Sequence, residues 1–339
     1  MTKIKDFEMP YIGIDTDTFG IIYSENGDSS VVVKMKNPVE QLGASYDAYK
    51  GAHQLFESIL KTLGPGFTIQ KQDIFIKQEF KSVDHDDFLN HKYFDLFHGR
   101  NYSDLYTYLI ITKRAKKPMF FNFEEHQHVD FKEKVQKVYD LLNSKKADPY
   151  ILNEKEVKQY VRRMLAFNFK DDQYYLDNIS CDNECISFGE TKVKSISLVD
   201  VDEINLPNSV KPYKETKEFG YPYPMDFMAF LDDVPEFETI IYNQVIYIPS
   251  QKSELTKLEA KRRRHEAIPD PVNKVAVKDI DNLLNNAAES SQLLVYCHFN
   301  IMVQAKGAHI NQTTNYIESA LFNLAITPSK NSYNQLELY

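Results

Sequence analysis

Asn26 and Gly27 lie between two apolar runs, GIIYS and SVVVKM. Both residue types tolerate the positive φ that tight hairpin turns need, so the pair predicts an antiparallel hairpin. One obligatory antiparallel pair excludes a doubly wound, all-parallel sheet, whose strands are joined by crossovers instead. The expected fold class is therefore α+β: two subdomains with mixed or antiparallel sheets, flanked by helices.

The rest of the chain fits that frame. SYDAYKGAHQLFESILKTLGPG repeats Tyr49, Ala52, Phe56, Ile59 and Leu63 at helical spacing and is stopped by Gly64 and Pro65. FTIQKQDIFIKQEF reads as a strand pair or one long bent strand, with Ile74, Ile76 and Phe80 on a common face. DHDDFLNHKYFDLFHG reads as a helix with an acidic first turn, ended by Gly99, and SDLYTYLIITKR as a dense apolar strand. VDFKEKVQKVYDLLNS is a further helix.

NSKKADP at 143–149 marks a boundary, giving an N-terminal α+β subdomain over 1–148 and a second over 149–339. Beyond it, Asn153 and Glu156 have capping-box spacing before Val157, Val161, Met164 and Leu165. Residues 171–236 are the least regular, KVKSISLVDVDEI being their clearest strand. ETIIYNQVIYIPS predicts a strand or tight hairpin, followed by a charged helix, SELTKLEAKRRRHEA, and a helix over roughly 272–289. QLLVYCHFNIMVQA predicts a buried strand in which Cys297 packs, and HINQTTNYIESALFNLA a helix with Ile310, Ile317, Leu321 and Leu324 inward. No short repeat is present, but each half runs strand, helices, dense apolar strand and final helix, which suggests two units of related build. Leu336 and Leu338 flank Glu337 like the opening of a half-buried strand, which predicts a longer gene product continuing past Tyr339.

Composition narrows the function. With 42% hydrophobic and 26% charged residues the chain has ample mass for a core. A net charge of -9 makes it a poor generic binder of phosphate backbone. Cys181, Cys185 and Cys297 do not form a disulfide framework, which fits a reducing compartment. No apolar run approaches the length of a membrane span, and the first residues lack the apolar core of a signal peptide.

Motifs for chemistry are sparse. The phosphate-cradling G-x-x-x-x-G-K-[ST] is absent, as are the nucleophile-elbow, zincin and dinucleotide signatures. Asp84, His85, Asp86 and Asp87 with His91 and His98, the pair His126 and His128 on one side of an extended segment, and Cys181 with Cys185 all lack a metal-ligand spacing. No catalytic, cofactor or metal residue is assigned. One basic run stands out: Lys257, Lys261, Arg262, Arg263 and Arg264. It reads either as a solvated helix face paired with Glu254, Glu259 and Glu266, or as a docking patch for an anionic surface. No aromatic platforms interleave it, which counts against direct nucleic-acid recognition.

Two stretches carry a family resemblance. The block from IYSENGDSSVVVKM to LGPGFTIQKQDIFIKQEF, with its hairpin, its Tyr-rich helix start and its QKQDIFI run, resembles the start of the TraG-family conjugation ATPases of Bacteroides-type conjugative transposons. The tail from LVYCHFNIMVQAKG to NQLELY resembles the segment that precedes the RecA-like motor domain in that family. The resemblance implies a docking and assembly region of a type IV secretion ATPase, without catalysis of its own. ATP and magnesium would then be needed only by the motor domain. It further implies inner-membrane secretion-channel proteins, the protein's own motor domain and sister subunits as partners, and a cytoplasmic location peripheral to the inner membrane. The alternative from the basic run is an independent nucleic-acid-binding module using residues 257–264.

Overall fold

The computed structural model describes residues 11–15, 19–37, 46–81, 87–115, 125–170, 178–198, 213–215, 222–224, 231, 233–268, 270–289, 293–323, 326–333 and 335. The first half contains β1 (Gly13–Ile14), β2 (Ile22–Tyr23), β3 (Ser29–Met35), α1 (Tyr46–Leu63), β4 (Phe67–Glu79), α2 (Phe88–Phe97), β5 (Asn101–Lys113), α3 (Glu125–Ser144), β6 (Tyr150–Ile151) and α4 (Glu154–Ala166). The second contains β7 (Ile179–Cys181), β8 (Ile186–Phe188), β9 (Thr191–Ser197), β10 (Tyr213–Glu215), β11 (Pro222–Pro224), β12 (Phe237–Tyr247), α5 (Gln251–Glu266), α6 (Pro271–Glu289), β13 (Tyr296–Lys306), α7 (Ile310–Asn323) and β14 (Ser329–Lys330).

Twelve strands form one antiparallel sheet in the order β1-β2-β3-β5-β4-β12-β13-β9-β8-β7, with β6 also on β3 and β14 also on β9. The fold class is thus α+β with antiparallel pairing, as the hairpin required. The order also reveals a duplicated topology. Each half begins with an antiparallel ribbon, β1–β2 or β7–β8, that leads into an outer strand, β3 or β9. The third long strand, β5 or β13, inserts between the first and second, and a helix then returns a two-residue strand to the outer strand. The halves meet where β4 pairs antiparallel with β12, so an approximate two-fold axis passes near the Gln72–Asn243 pair.

Alternation of side chains sets two cores on each sheet face. On one face Val31, Val33, Phe67, Ile69, Leu109 and Ile111 meet Leu55, Ile59 and Leu63 of α1 and the buried stripe Phe131, Val135, Val138 and Leu142 of α3. Burying each such side chain contributes roughly 1.5–3 kcal/mol before chain entropy is counted. On the same face α7 covers Ile240, Ile301, Val303 and Ile196 with Ile310, Ile317 and Leu321; Leu324 lies outside the described residues. The opposite face holds Val32 with Val157 and Val161 of α4, and Ile74, Ile76, Ile241 and Met302 with Phe167 and Phe188. Residues 150–166 follow the 143–149 segment in the chain, yet β6 pairs with β3 and α4 packs on it. The capping box is present: Asn153 Oδ1 accepts from the Glu156 N–H, and the Glu156 carboxylate accepts from the Asn153 N–H.

The antiparallel hairpin expected at Asn26-Gly27 is present between β2 and β3: Gly27 N–H donates to Ser24 C=O, Ser24 N–H to Asp28 C=O, and Gly27 takes φ 83°. That is a type I turn closed by a left-handed glycine, so Asn26 is not required to adopt positive φ. Of the alternatives the sequence allowed, FTIQKQDIFIKQE and ETIIYNQVIY each take the single long strand, held along its length by a neighbour on both sides. Phe80 lies past the end of β4 and stacks on Phe94 of α2. Cys297 does not pack in a core: β13 is buried only from Asn300 onward, and Cys297 is exposed. The strand expected at 336–338 lies outside the described residues.

Candidate docking surfaces

The two central strands each run into a helical insertion. β4 leads to α2 and β12 leads to the α5–α6 hairpin, and both insertions return to the third strand of their half. Because β4 and β12 are antiparallel, the insertions leave the sheet at opposite ends. Both contrast with α1, α3, α4 and α7, which bury apolar stripes. No residue of α2 or α5 is buried, and in α6 only Ile280 is.

Exposed apolar side chains stand on both. In α2, Leu89, Tyr93 and Leu96 recur at i, i+4 and i+7 and so share one side, with 74%, 59% and 60% of their surface exposed. Phe94 and Phe97 close on Phe80, the Tyr93 ring packs against both of them, and Asp87 caps the helix by accepting from the Leu89 N–H. In α6, Val272, Val275 and Leu283 share a side and remain exposed, as does Ile268 at the hairpin tip. Contiguous exposed apolar side chains of this kind are a recurrent mark of interaction sites on folded chains.

The hairpin is stiffly built despite its exposure. At its base Gln251 donates to the Leu294 C=O at 2.9 Å and accepts from the Leu294 N–H at 2.8 Å. Glu254 accepts from the Tyr296 hydroxyl at 2.5 Å and from Lys257 at 2.7 Å, and these two donors hold its carboxyl below the usual range. Midway, Arg262 Nε donates to Asp281 Oδ1 at 2.5 Å, and His265 Nδ1 meets Asn273 Oδ1 at 2.5 Å, both crossing from α5 to α6. Asp270 caps α6 by accepting from the Asn273 N–H at 2.8 Å.

This geometry divides the basic run. Four consecutive residues span more than one turn, so they cannot share a face. Lys257 is paired with Glu254, and Arg262 clamps α6 through Asp281. Lys261, Arg263 and Arg264 stay exposed, Arg264 reaching back to the Ala260 C=O. The expected pairing with Glu254 and Glu266 is present at Lys257 and Arg262, and three cations of the run face outward.

The histidine and cysteine clusters do not assemble. His126 and His128 lie in the first turn of α3, not on an extended segment, where residues two apart point to different sides. His128 instead stacks on Tyr23 and shares a 3.3 Å hydrogen bond with its hydroxyl. His91 faces Asp95, and His98 ends α2; Asp84, His85 and Asp86 lie outside the described residues. Cys185 is buried and its thiol, raised by burial, donates to Asp182, while Cys181 is exposed. Among the described residues no group of three or more His, Cys, Asp or Glu is placed to hold a metal ion. No described helix is long and apolar enough to cross a membrane.

Sequence reasoning missed one cleft. It is about 370 Å³, lies between the sheet and α4, and is lined by Lys34, Tyr106, Tyr108, Tyr160, Arg163 and Lys170 among others. Burial and the neighbouring Asp104 push the Tyr106 phenol up to about 12, and burial raises Tyr108 and Tyr160 as well, so all three stay protonated at neutral pH. Its lining comes from β3, β4, β5 and α4, a convergence no linear motif encodes. The exposed side of α2 was legible only as a helix, since its uncovered state depends on what the sheet leaves unpacked.

No protein-family model matches the chain, and no curated protein matches it.

Proposed function

We propose that this chain is a docking and assembly domain of a conjugative DNA-transfer ATPase of the type IV secretion class. One observation carries the docking role: α2 and α6, inserted after the two central strands, keep apolar side chains uncovered while α1, α3, α4 and α7 pack theirs on the sheet. The TraG-like sequence blocks supply the setting, in which secretion-channel proteins, the motor domain and sister subunits are the partners. In this reading the domain works on the cytoplasmic side of the inner membrane, and ATP and magnesium bind elsewhere in the complete protein. The test is transfer by donor cells whose own copy carries Ile268→Ser, Val272→Ser and Val275→Ser. Transfer should fall at least about tenfold, the effect of losing about 1.4 kcal/mol at a docking contact, with the protein's abundance unchanged. Undiminished transfer would overturn the proposal.

The outward Lys261, Arg263 and Arg264 favour a second reading, contact with single-stranded nucleic acid. It requires the chain to retard single-stranded DNA at physiological salt and the triple glutamate variant to fail. Retardation equal in both proteins, or in neither, removes it.

A further inference from the structure

The cleft between the sheet and α4 gathers positive charge in a chain whose net charge is -9. Its lining holds Lys34, Arg163 and Lys170 against a single carboxylate, Glu156. That carboxylate is committed to the helix cap: it accepts from the Tyr150 hydroxyl at 2.9 Å and from the Asn153 N–H at 2.9 Å. Asp104 lies beside the Tyr106 hydroxyl and outside the lining. Lys34 and Lys170 have no ion-pair partner among the described residues; Lys34 Nζ lies 4.9 Å over the Tyr106 ring instead.

Strand register builds the floor of this cleft. Lys34 of β3 and Gln72 of β4 both stand opposite Tyr108 of β5. Over that row α4 places Tyr160, whose hydroxyl donates to Gln72 Oε1 at 2.6 Å and whose ring is 4.9 Å from the Tyr108 ring. Arg163 follows Tyr160 by three residues, so the contact that fixes α4 also brings the guanidinium to the cleft near the Tyr108 hydroxyl. The Tyr108 side chain is partly buried, and its hydroxyl has no hydrogen-bond partner among the described residues. A guanidinium, an unpartnered hydroxyl and two unpaired ammonium groups around one cavity are the parts of an anion receptor. The geometry points to a small organic phosphate, a monoester on a compact body, as the ligand of this cleft. Three cations less one carboxylate leave an excess of two positive charges in the lining, which a monoester dianion balances and a single carboxylate does not. About 370 Å³ is at the lower end of small-molecule sites, so the organic part is small. No lining residue belongs to α2, α5 or α6, so this site neither rests on the docking reading nor bears on it.

Calorimetry with the full chain and phenyl phosphate tests this, with phenyl sulfate as the singly charged analogue of similar shape. Phenyl phosphate should bind saturably at one site, about tenfold or more tighter than phenyl sulfate. Tyr108→Phe removes one hydroxyl and keeps the ring, and should weaken binding about tenfold or more, the usual effect of losing a hydrogen bond to a charged group. Lys34→Gln combined with Lys170→Gln should weaken it by a similar factor; both positions are exposed, so thermal unfolding should not change. Lys145→Gln, an exposed cation outside the cleft, should leave the affinity as it is. A short single-stranded oligonucleotide and vesicles of phosphatidic acid offer phosphate from other sources, and neither should displace phenyl phosphate. Absence of saturable binding overturns the inference. So does equal binding of the sulfate, an affinity that neither cleft variant lowers, or one that Lys145→Gln lowers as much as they do. Displacement by the oligonucleotide or by the vesicles overturns the assignment to a small molecule and gives the cleft to nucleic acid or to lipid.

Discussion

Asp73 offers the sharpest test of how the strands of the first half are held together. It lies in β4, 2% exposed, on the sheet face between the core under α1 and α3 and the core under α7. Its Oδ1 accepts from Asn37 Nδ2 at 3.0 Å and from Thr107 Oγ1 at 2.8 Å, and its Oδ2 pairs with Lys71. A buried carboxylate is tolerable only with such a complete set of donors. Asp73→Ala removes the acceptor from three buried or half-buried donors at once. Asn37 Nδ2 keeps its 3.1 Å bond to Thr107 Oγ1, but the Thr107 hydroxyl loses its acceptor at about 1–3 kcal/mol, and isolating a mostly buried ammonium adds to that, so the expected loss is about 2–4 kcal/mol. Lys71→Met should cost less, because Asp73 keeps its two neutral donors. Urea unfolding followed by circular dichroism measures both, and the double variant gives the coupling between the two sites, expected at 1 kcal/mol or more by the usual range for contacting residues. An Asp73→Ala loss below about 1 kcal/mol would refute the claim that this buried cluster holds β4, β5 and the end of β3 together.

Three further outcomes are expected. Gly20→Ala should destabilise by about 1–3 kcal/mol in thermal unfolding, because its Cβ would lie 2.8 Å from the Leu152 carbonyl oxygen and from Val157 Cγ2; a neutral result would mean the β6–α4 junction gives way freely. Arg262→Ala should loosen the α5–α6 hairpin and speed amide exchange in both helices, whereas Arg263→Ala should leave exchange unchanged, since only Arg262 crosses to Asp281. The Asp182 carboxyl is held below its usual range by the N–H groups of Glu184 and Cys185, each at 2.7 Å. A depressed folded-state pKa stabilises above the unfolded value and is lost as pH falls through the folded one. Parent and Asp182→Asn should therefore differ most near neutrality and converge in acid; a difference independent of pH would show the bonds do not favour the charged form.

Much of the fold was legible because its signals are local. Gly27 and Gly64 take positive φ where the sequence placed turns, the Asn153–Glu156 box sits where its spacing put it, and Ile59, Leu63, Ile310, Ile317 and Leu321 point inward at helical period. These outcomes depend on a few neighbouring residues and on the backbone's steric menu, so proximity in the chain suffices. The basic run was visible for the same reason, but its division was not. Arg262 finds Asp281 nineteen residues away only because α5 and α6 fold back on each other. The single twelve-stranded sheet, the central β4–β12 pair and the exposure of α2 needed the tertiary structure. Strand order is chosen by which apolar faces can be buried together, and sequence separation carries little of that information. The same competition leaves the α2 and α6 stripes uncovered: their periodicity is that of any amphipathic helix, and only the packed sheet decides which helices it has no room to cover.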